Sequence, residues 1–291
     1  MNPLQRTLIE KAGHDNGFEH VLCSDERCVA LASARHPAQV HVTALGPGFE
    51  VRIQSAPATL AQELARTFAD HDSKLGQAFA LPTEAALARW LRRAAALSQA
   101  LPNQAVTAFE QQVQTELSAM APPAAQNTEV LRMVRQRVGQ QAYRQAMLDY
   151  WGGACAVTGL ALPQALRASH AKPWAECSTD AERLDVYNGF LLSANLDALF
   201  DSFLISFTDD GELLMSDQIA QPDRERLGLD VSMRLRWRAA PHIAYLQFHR
   251  HRFGTQNLEQ NAHPGHRIDN AARINKNSCS SHVIREVKQT P

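Results

Sequence analysis

The chain has no long hydrophobic run. No stretch of its 291 residues approaches the about 20 apolar residues of a membrane helix. Its opening, MNPLQRTLIEKAGHD, carries no apolar core of the secretory kind. No membrane partner is therefore expected, and a cytoplasmic setting is. Cysteine is scarce and odd in number, with five residues at 23, 28, 155, 177 and 279. That pattern excludes a disulfide framework and suits a reducing compartment. An excess of one charge is also missing, since 29 Lys and Arg face 30 Asp and Glu for a net charge of -1. The balance speaks against a non-specific polyanion binder but leaves room for a local basic groove. What is present is ordinary for a folded protein, with 45% apolar and 20% charged residues. The length suffices for one large domain or two ordinary ones, each with its own core.

The texture changes twice along the chain. Residues 1–120 begin with a short helix, Pro3 to Lys11, followed by strand-like runs at Phe18–Ser24, Cys28–Ala34, Val40–Leu45 and Phe49–Gln54. Gly46-Pro47-Gly48 between the last two is a hairpin signal. Helical spacing follows in Leu87, Trp90, Leu91, Ala94 and Leu101, and again in Val106, Phe109, Val113 and Leu117. Arg89, Arg92 and Arg93 on the first of these helices could meet phosphate, although a solvated face is the simpler reading. The stretch MAPPAAQN, Met120 to Asn127, reads as a linker.

A second domain is expected over residues 128–254. A helix that Thr128 can cap carries Arg132, Arg135, Arg137 and Arg144 and ends at Tyr150-Trp151-Gly152-Gly153. Further on, Leu204–Phe207 and Glu212–Met215 bracket the turn Asp209-Asp210-Gly211. Residues 255–291 are rich in Asn, His, Ser and charge, and are expected to form a disordered tail. The irregular spacing of His263, His266 and His282 makes them a poor metal cluster.

The chemistry concentrates between Cys155 and Asp201. Ala165–Ser169 is a short apolar strand ending at His170, and Lys172-Pro173-Trp174 breaks it. A polar loop runs to Tyr187, Asn188-Gly189 turns, Phe190–Leu192 forms a second strand, and Ser193 caps a helix from Ala194 to about Asp201. A strand, loop, strand, helix order lets an imidazole and a carboxylate face each other across a small cleft. Singly, each residue has an ordinary reading. A lone His at a strand end is usually structural, Asn-Gly is a common turn, and Asp197 in a first helical turn complements the dipole.

Taken together the segment resembles the HNH endonucleases, the ββα-metal nucleases. Ser169-His170-Ala171-Lys172-Pro173 stands for the family's His-x-x-Pro element and Asn188 for its central Asn, with Asp197 nine residues later in the third position. The likeness is to a subgroup found in restriction-type proteins. It rests on Ala168 to Trp174, Asn188 to Leu192 and Leu199 to Asp201, with Arg137-Val138-Gly139-Gln140 and Cys155-Ala156-Val157-Thr158-Gly159 upstream. It covers roughly residues 130 to 252.

The patterning of residues 1–120 predicts a small N-terminal antiparallel sheet with helices, and the resemblance adds a ββα-metal nuclease domain with a flanking helix and hairpin, an α+β protein in all. The resemblance implies metal-assisted phosphodiester hydrolysis. His170 would be the general base, Asp197 would hold a divalent cation, and Asn188 would pin the loop and orient His170. The cation would be Mg²⁺, with Mn²⁺ as an alternative, because a carboxylate is a hard ligand. Asp201 is an alternative second ligand. DNA is the implied partner, with Arg132, Arg135, Arg137, Arg144, Arg167 and Lys172 as phosphate contacts. A homodimer would suit double-strand cutting.

Two departures stand out. Ser169 occupies a position that in many relatives is a metal-binding Asp or His. The structural zinc of many relatives would need thiolates at Cys155, Thr158, Ser193 and Leu196, of which only one is cysteine. No structural zinc is expected, and Trp151, Trp174, Leu191, Leu192 and Phe200 are expected to hold the module by packing. Rival readings are a DNA-binding or regulatory protein on a degenerate scaffold, and an RNase or toxin with the same chemistry.

Overall fold

The computed structural model describes residues 1–68, 73–74, 78–102, 104–120 and 128–262. The mixed α/β architecture expected from the sequence is present. Helix α1 (Pro3–Asp15) opens the chain, with Asn2 and Gln5 forming a capping box, and runs a turn beyond the expected Lys11. Strands β1 (His20–Ser24), β2 (Val29–Ala32), β3 (Gln39–Leu45) and β4 (Gly48–Ser55) follow, the first two shorter than their sequence signals. Between β3 and β4, Leu45 pairs with Gly48, so the turn itself is Gly46-Pro47. Gly46 adopts φ +60°, a conformation L side chains resist. Val40, Val42, Phe49 and Val51 are buried while His41, Thr43, Glu50 and Arg52 between them are not, the alternation of a sheet with one covered face.

Helix α2 (Leu60–Thr67) and strands β5 (Ser73–Lys74) and β6 (Ala78–Leu81) had no place in the sequence reading. They complete a six-stranded antiparallel sheet of order β1-β2-β3-β4-β6-β5. Helix α3 (Glu84–Ala100) is capped by the Thr83 hydroxyl and buries Leu87, Trp90, Leu91, Ala94 and Leu97 against the sheet and α1. Helix α4 (Gln104–Ser118) buries Phe109 and Val113.

Helix α5 (Thr128–Trp151) joins the halves of the molecule. It packs on α3 and α4 and also touches the next two strands. Thr128 is its first described residue and Gly152-Gly153, both with positive φ, end it as expected. Strand β7 (Leu166–His170) pairs antiparallel with β8 (Gly189–Ser193), putting His170 opposite Gly189. His170 therefore ends its strand as expected, while Gly189, which the sequence reading placed in a turn, is the first residue of β8. Between them lies the four-residue helix α6 (Asp180–Arg183).

Helix α7 (Ala194–Asp201) packs back on β7 and β8. Ser193 is its N-cap by position, but its hydroxyl donates to Asn195 Oδ1 at 2.7 Å rather than serving the helix amides. The expected hairpin follows as β9 (Ile205–Phe207) and β10 (Leu213–Met215). After α8 (Gln221–Arg226), helix α9 (His242–Ala262) covers β9. It had not been anticipated, and it continues past Thr255, where the sequence reading ended the second domain. His263, His266 and His282 lie outside the described residues.

One hydrophobic core runs from Ile9 through Trp90, Phe109, Met147, Trp151 and Phe190 to Leu246. Trp151, Leu191, Leu192 and Phe200 are fully buried and Trp174 packs on that core, as the sequence suggested. Arg89 and Arg92 of α3 are exposed, as a solvated face requires, and Arg93 is partly buried, although each makes a contact within the protein. Arg92 donates to Asn16 Oδ1 at 2.9 Å, and Arg93 donates to the carbonyls of Asp149 and Tyr150 at 2.5 and 2.7 Å. Arg89 lies over the Phe68 ring. Burial lowers the Arg93 guanidinium to about 10, and it closes the C-terminal end of α5.

Candidate active site

His170 stands at the end of β7. Its ring stacks on Tyr143 of α5 with centroids 3.8 Å apart, and Trp174 meets it edge-on at 5.7 Å. Its Nε2 lies 2.9 Å from the Arg183 carbonyl oxygen. A carbonyl can only accept, so Nε2 carries the proton and the neutral ring presents Nδ1 as a lone pair. Nδ1 has no hydrogen-bond partner among the described residues. Burial pushes the imidazole down to about 4, only partly opposed by the Arg183 bond, so the ring is neutral near pH 7. His170, Ala168, Pro173, Trp174, Asp201, Phe203 and His249 line a cleft of about 280 Å³.

Asn188 is fully buried. Its Oδ1 accepts from the Lys172 amide at 2.8 Å, and its Nδ2 donates to the Lys172 and Glu182 carbonyls at 3.3 and 3.1 Å and to Cys177 Sγ at 3.3 Å. The side chain thus ties both ends of the loop between the two strands. None of these bonds reaches His170, so the Asn188 side chain does not orient the imidazole by a direct hydrogen bond. Gly189 beside it has φ +155°, and a Cβ there would sit 1.9 Å from the Ser169 carbonyl oxygen. The Asn-Gly pair is thus a close approach of two strands as well as a bend.

Asp197 lies in the first turn of α7, and Ser169 Oγ donates to its Oδ1 at 2.5 Å. Asp201 follows one turn later at the rim of the His170 cleft. Partial desolvation, reinforced by the Asp197 charge, raises its carboxyl above the usual range. No group of three or more His, Cys, Asp or Glu side chains able to hold a metal occurs among the described residues. Two carboxylates on one helix face could still take part in holding a divalent cation, with water and substrate phosphate completing its shell. Their mutual repulsion is what a cation would relieve. Asp197 and Asp201 are the residues that would hold it.

The expected phosphate contacts are scattered and engaged. Arg137 pairs with Glu116, Arg132 with Glu129 at 3.4 Å, and Arg135 with Glu110 and Asp180 at 2.8 and 2.6 Å. Lys172 pairs with Glu182 at 2.6 Å, which raises its ammonium group, beside the Phe248 ring. Arg144 and Arg167 donate to carbonyls, each reaching that of Leu166. Of the positions that hold zinc in relatives, Cys155 receives the Thr158 amide at 3.4 Å, and Leu196 is buried apolar filling.

Sequence reasoning missed Tyr143, Arg183 and His249. Tyr143 is buried, its hydroxyl donating to the Asn188 carbonyl at 3.0 Å while its ring supports His170. Four residues earlier, Gly139 makes room for Trp174, since a Cβ there would lie 2.5 Å from Trp174 Cη2. Their spacing on one helix face was the available signal. His249 stacks on Phe200 and has both nitrogens bonded, to Ser206 Oγ at 2.9 Å and the Phe200 carbonyl at 3.0 Å. It is a wall of the cleft with no free lone pair.

The site is thus a two-stranded ladder with a helix packed against it, a neutral histidine on one strand and two carboxylates on the helix. Residues 155–208 match the model of a family described as HNH endonuclease, so this part of the chain is an HNH segment. The family read from the motif is the one found, and it implies a nuclease or DNA-binding role. No curated protein matches the chain. No helix among the described residues is long and apolar enough to cross a membrane.

Proposed function

We propose that this chain is a metal-dependent endonuclease that hydrolyses phosphodiester bonds of DNA, acting in restriction or defence. The observation that carries the reading is the Nε2 bond of His170 to the Arg183 carbonyl, which leaves Nδ1 as a base at a cleft with a carboxylate rim. His170 Nδ1 takes a proton from water as the water oxygen attacks phosphorus. The P–O bond opposite the attack breaks, and the leaving oxygen is protonated from solvent. A divalent cation, Mg²⁺ or Mn²⁺, bound by Asp197 with Asp201 as its second ligand at the cleft would stabilise charge on the non-bridging and leaving oxygens. Asn188 holds the loop that carries the Arg183 carbonyl.

DNA binding is assigned to the cations around the segment, Arg132, Arg137, Arg144, Arg167 and Lys172, several of which would exchange a carboxylate partner for phosphate. Target selection is assigned to residues 1–120, and the nuclease to residues 128–254. The restriction-type subgroup that the motif wording resembles supports the setting.

The test is cleavage of plasmid DNA, unmodified and base-modified, with Mg²⁺ or Mn²⁺, beside His170→Ala. Metal-dependent nicking or linearisation that drops at least about a hundredfold in the variant is expected. A folded protein that binds DNA but cuts nothing would favour the scaffold reading, which the lack of a three-ligand group among the described residues motivates. Parallel assays on single strands and RNA separate the DNase from an RNase.

A further inference from the structure

The most unusual polar contact between the two halves of the molecule is a buried carboxylate. Glu63, on α2, has a side chain only 4% exposed. It pairs with Arg66 and accepts from two phenols of the second half, Tyr150 at 3.2 Å and Tyr187 at 3.3 Å. Burying a carboxylate is costly, and an apolar residue would fill the same space without that penalty. What the carboxylate provides is a fixed point on which both phenols converge.

Tyr187 is the residue before Asn188. Its amide donates to Asp185 Oδ1 at 2.9 Å, and Asp185 Oδ2 accepts from Tyr245 of α9 at 3.1 Å. The Asn188 amide donates to the Asp185 carbonyl at 2.9 Å, which closes the segment into a tight turn. The same segment begins at Arg183, whose carbonyl holds His170 Nε2. It is therefore anchored at three places: by Asn188 to the loop after β7, by Tyr245 to α9, and by Glu63 to α2.

We propose that Glu63 is a positioning residue of the nuclease centre, acting through Tyr187 and the segment from Arg183 to Asn188 on the tautomer and orientation of His170. The proposal rests on the nuclease reading above. It makes the N-terminal half part of the apparatus that aims the base, beyond any role in choosing a target. A change in α2 on engaging a target would then reach His170 along a bonded route of a few residues.

The experiment uses the full chain with Tyr187→Phe, Glu63→Gln, Glu63→Leu and the Tyr187→Phe/Glu63→Leu pair. Three quantities are measured: kcat and KM on duplex DNA with Mg²⁺, the ¹⁵N shifts of the His170 imidazole, and the melting temperature. We expect Tyr187→Phe and Glu63→Leu each to lower kcat by about tenfold or more with KM unchanged. The pair should lose no more than either single variant, because both act on one route. Glu63→Gln, which retains an acceptor, should recover part of the loss. The His170 shifts should move away from a pure Nε2–H tautomer in the impaired variants.

Unchanged kcat and unchanged His170 shifts, with only the melting temperature lowered, would overturn the proposal and leave Glu63 a structural tie. Should the Glu63 variants fail to fold, Tyr187→Phe, which removes a single oxygen, decides alone. If the unaltered chain cuts no nucleic acid but Tyr187→Phe still shifts the His170 signals, the positioning stands and the nuclease reading falls. If the chain cuts and the shifts stay put, the positioning alone falls.

Discussion

At the scale of single residues, Gly189 is the most confined of the described glycines. Its φ of +155° and the 1.9 Å separation between a hypothetical Cβ and the Ser169 carbonyl leave an alanine no place, because the obstacle is backbone of the paired strand. Gly189→Ala should cost on the order of 3 kcal/mol, from strain and loss of the β7–β8 ladder around His170. A melt should show a drop of roughly 6–12 °C, and an unchanged melting temperature would refute this account. Asn188 beside it is held by bonding rather than by space. Its four loop bonds explain why an amide, donor and acceptor at once, is needed there. Of the candidate residues, His170, Asn188 and Asp197 were legible because the motif orders them. Tyr143 and Arg183 were not, since one contributes a ring face and the other a backbone carbonyl, and neither role leaves a residue-type signature.

At the scale of elements, α5 shows why periodicity undervalues a helix with several neighbours. It is buried by α3 and α4 on one side and by β7 and β8 on another, so its apolar residues do not form a single stripe. Gly139 marks where Trp174 crosses it. Gly139→Val would drive a side chain into that ring and, through Trp174, disturb both His170 and the Arg183 side chain that donates to the Trp174 carbonyl at 3.3 Å. Overpacking of this kind should cost about 1–3 kcal/mol. Cleavage is expected to fall further than stability alone would cause, and cleavage in proportion to the folded fraction would count against the link. The β3–β4 hairpin, α3 and α4 were visible because their alternation or spacing is local and bounded by turn or cap residues. Strand β6 is short, and α9 mixes His and Arg among its apolar residues, so neither stands out before its partners are known.

At the scale of the whole molecule, the buried histidines set the response to acid. His170 and His249 are lowered to about 4 and His242 to about 3, each chiefly by burial, whereas an unfolded chain titrates them near 6.5. Below that value the unfolded state binds more protons. Stability is therefore complete above about pH 6.5 and is lost as pH falls toward 4, by up to about 1.4 kcal/mol per pH unit for each histidine. Asp149 and Asp185, raised by burial, act in the opposite sense but with smaller shifts. Urea midpoints at pH 7.5, 6 and 5 should decline in that order, and a flat series would contradict the burial. The shared core makes a related prediction about the proposed division of the chain. A fragment of residues 128–291 would expose the faces of α5 that α3 and α4 cover, and it should melt lower than the full protein or aggregate.

The sequence by itself determined the order of the chemical groups: a histidine closing one strand, an asparagine and glycine before the next, and a carboxylate in the helix after it. Those features are contiguous or regularly spaced, and their local geometry follows from backbone sterics and periodicity. Only the tertiary structure decided which nitrogen of His170 is free, that Ser169 bonds to Asp197, and that Glu63 reaches Tyr187 from 124 residues away. It also tied Arg93, expected on a solvated face, to the end of α5. Such pairings depend on how distant elements dock, and hydrophobic burial, which brings them together, is non-directional and leaves no mark in the local spacing of residues.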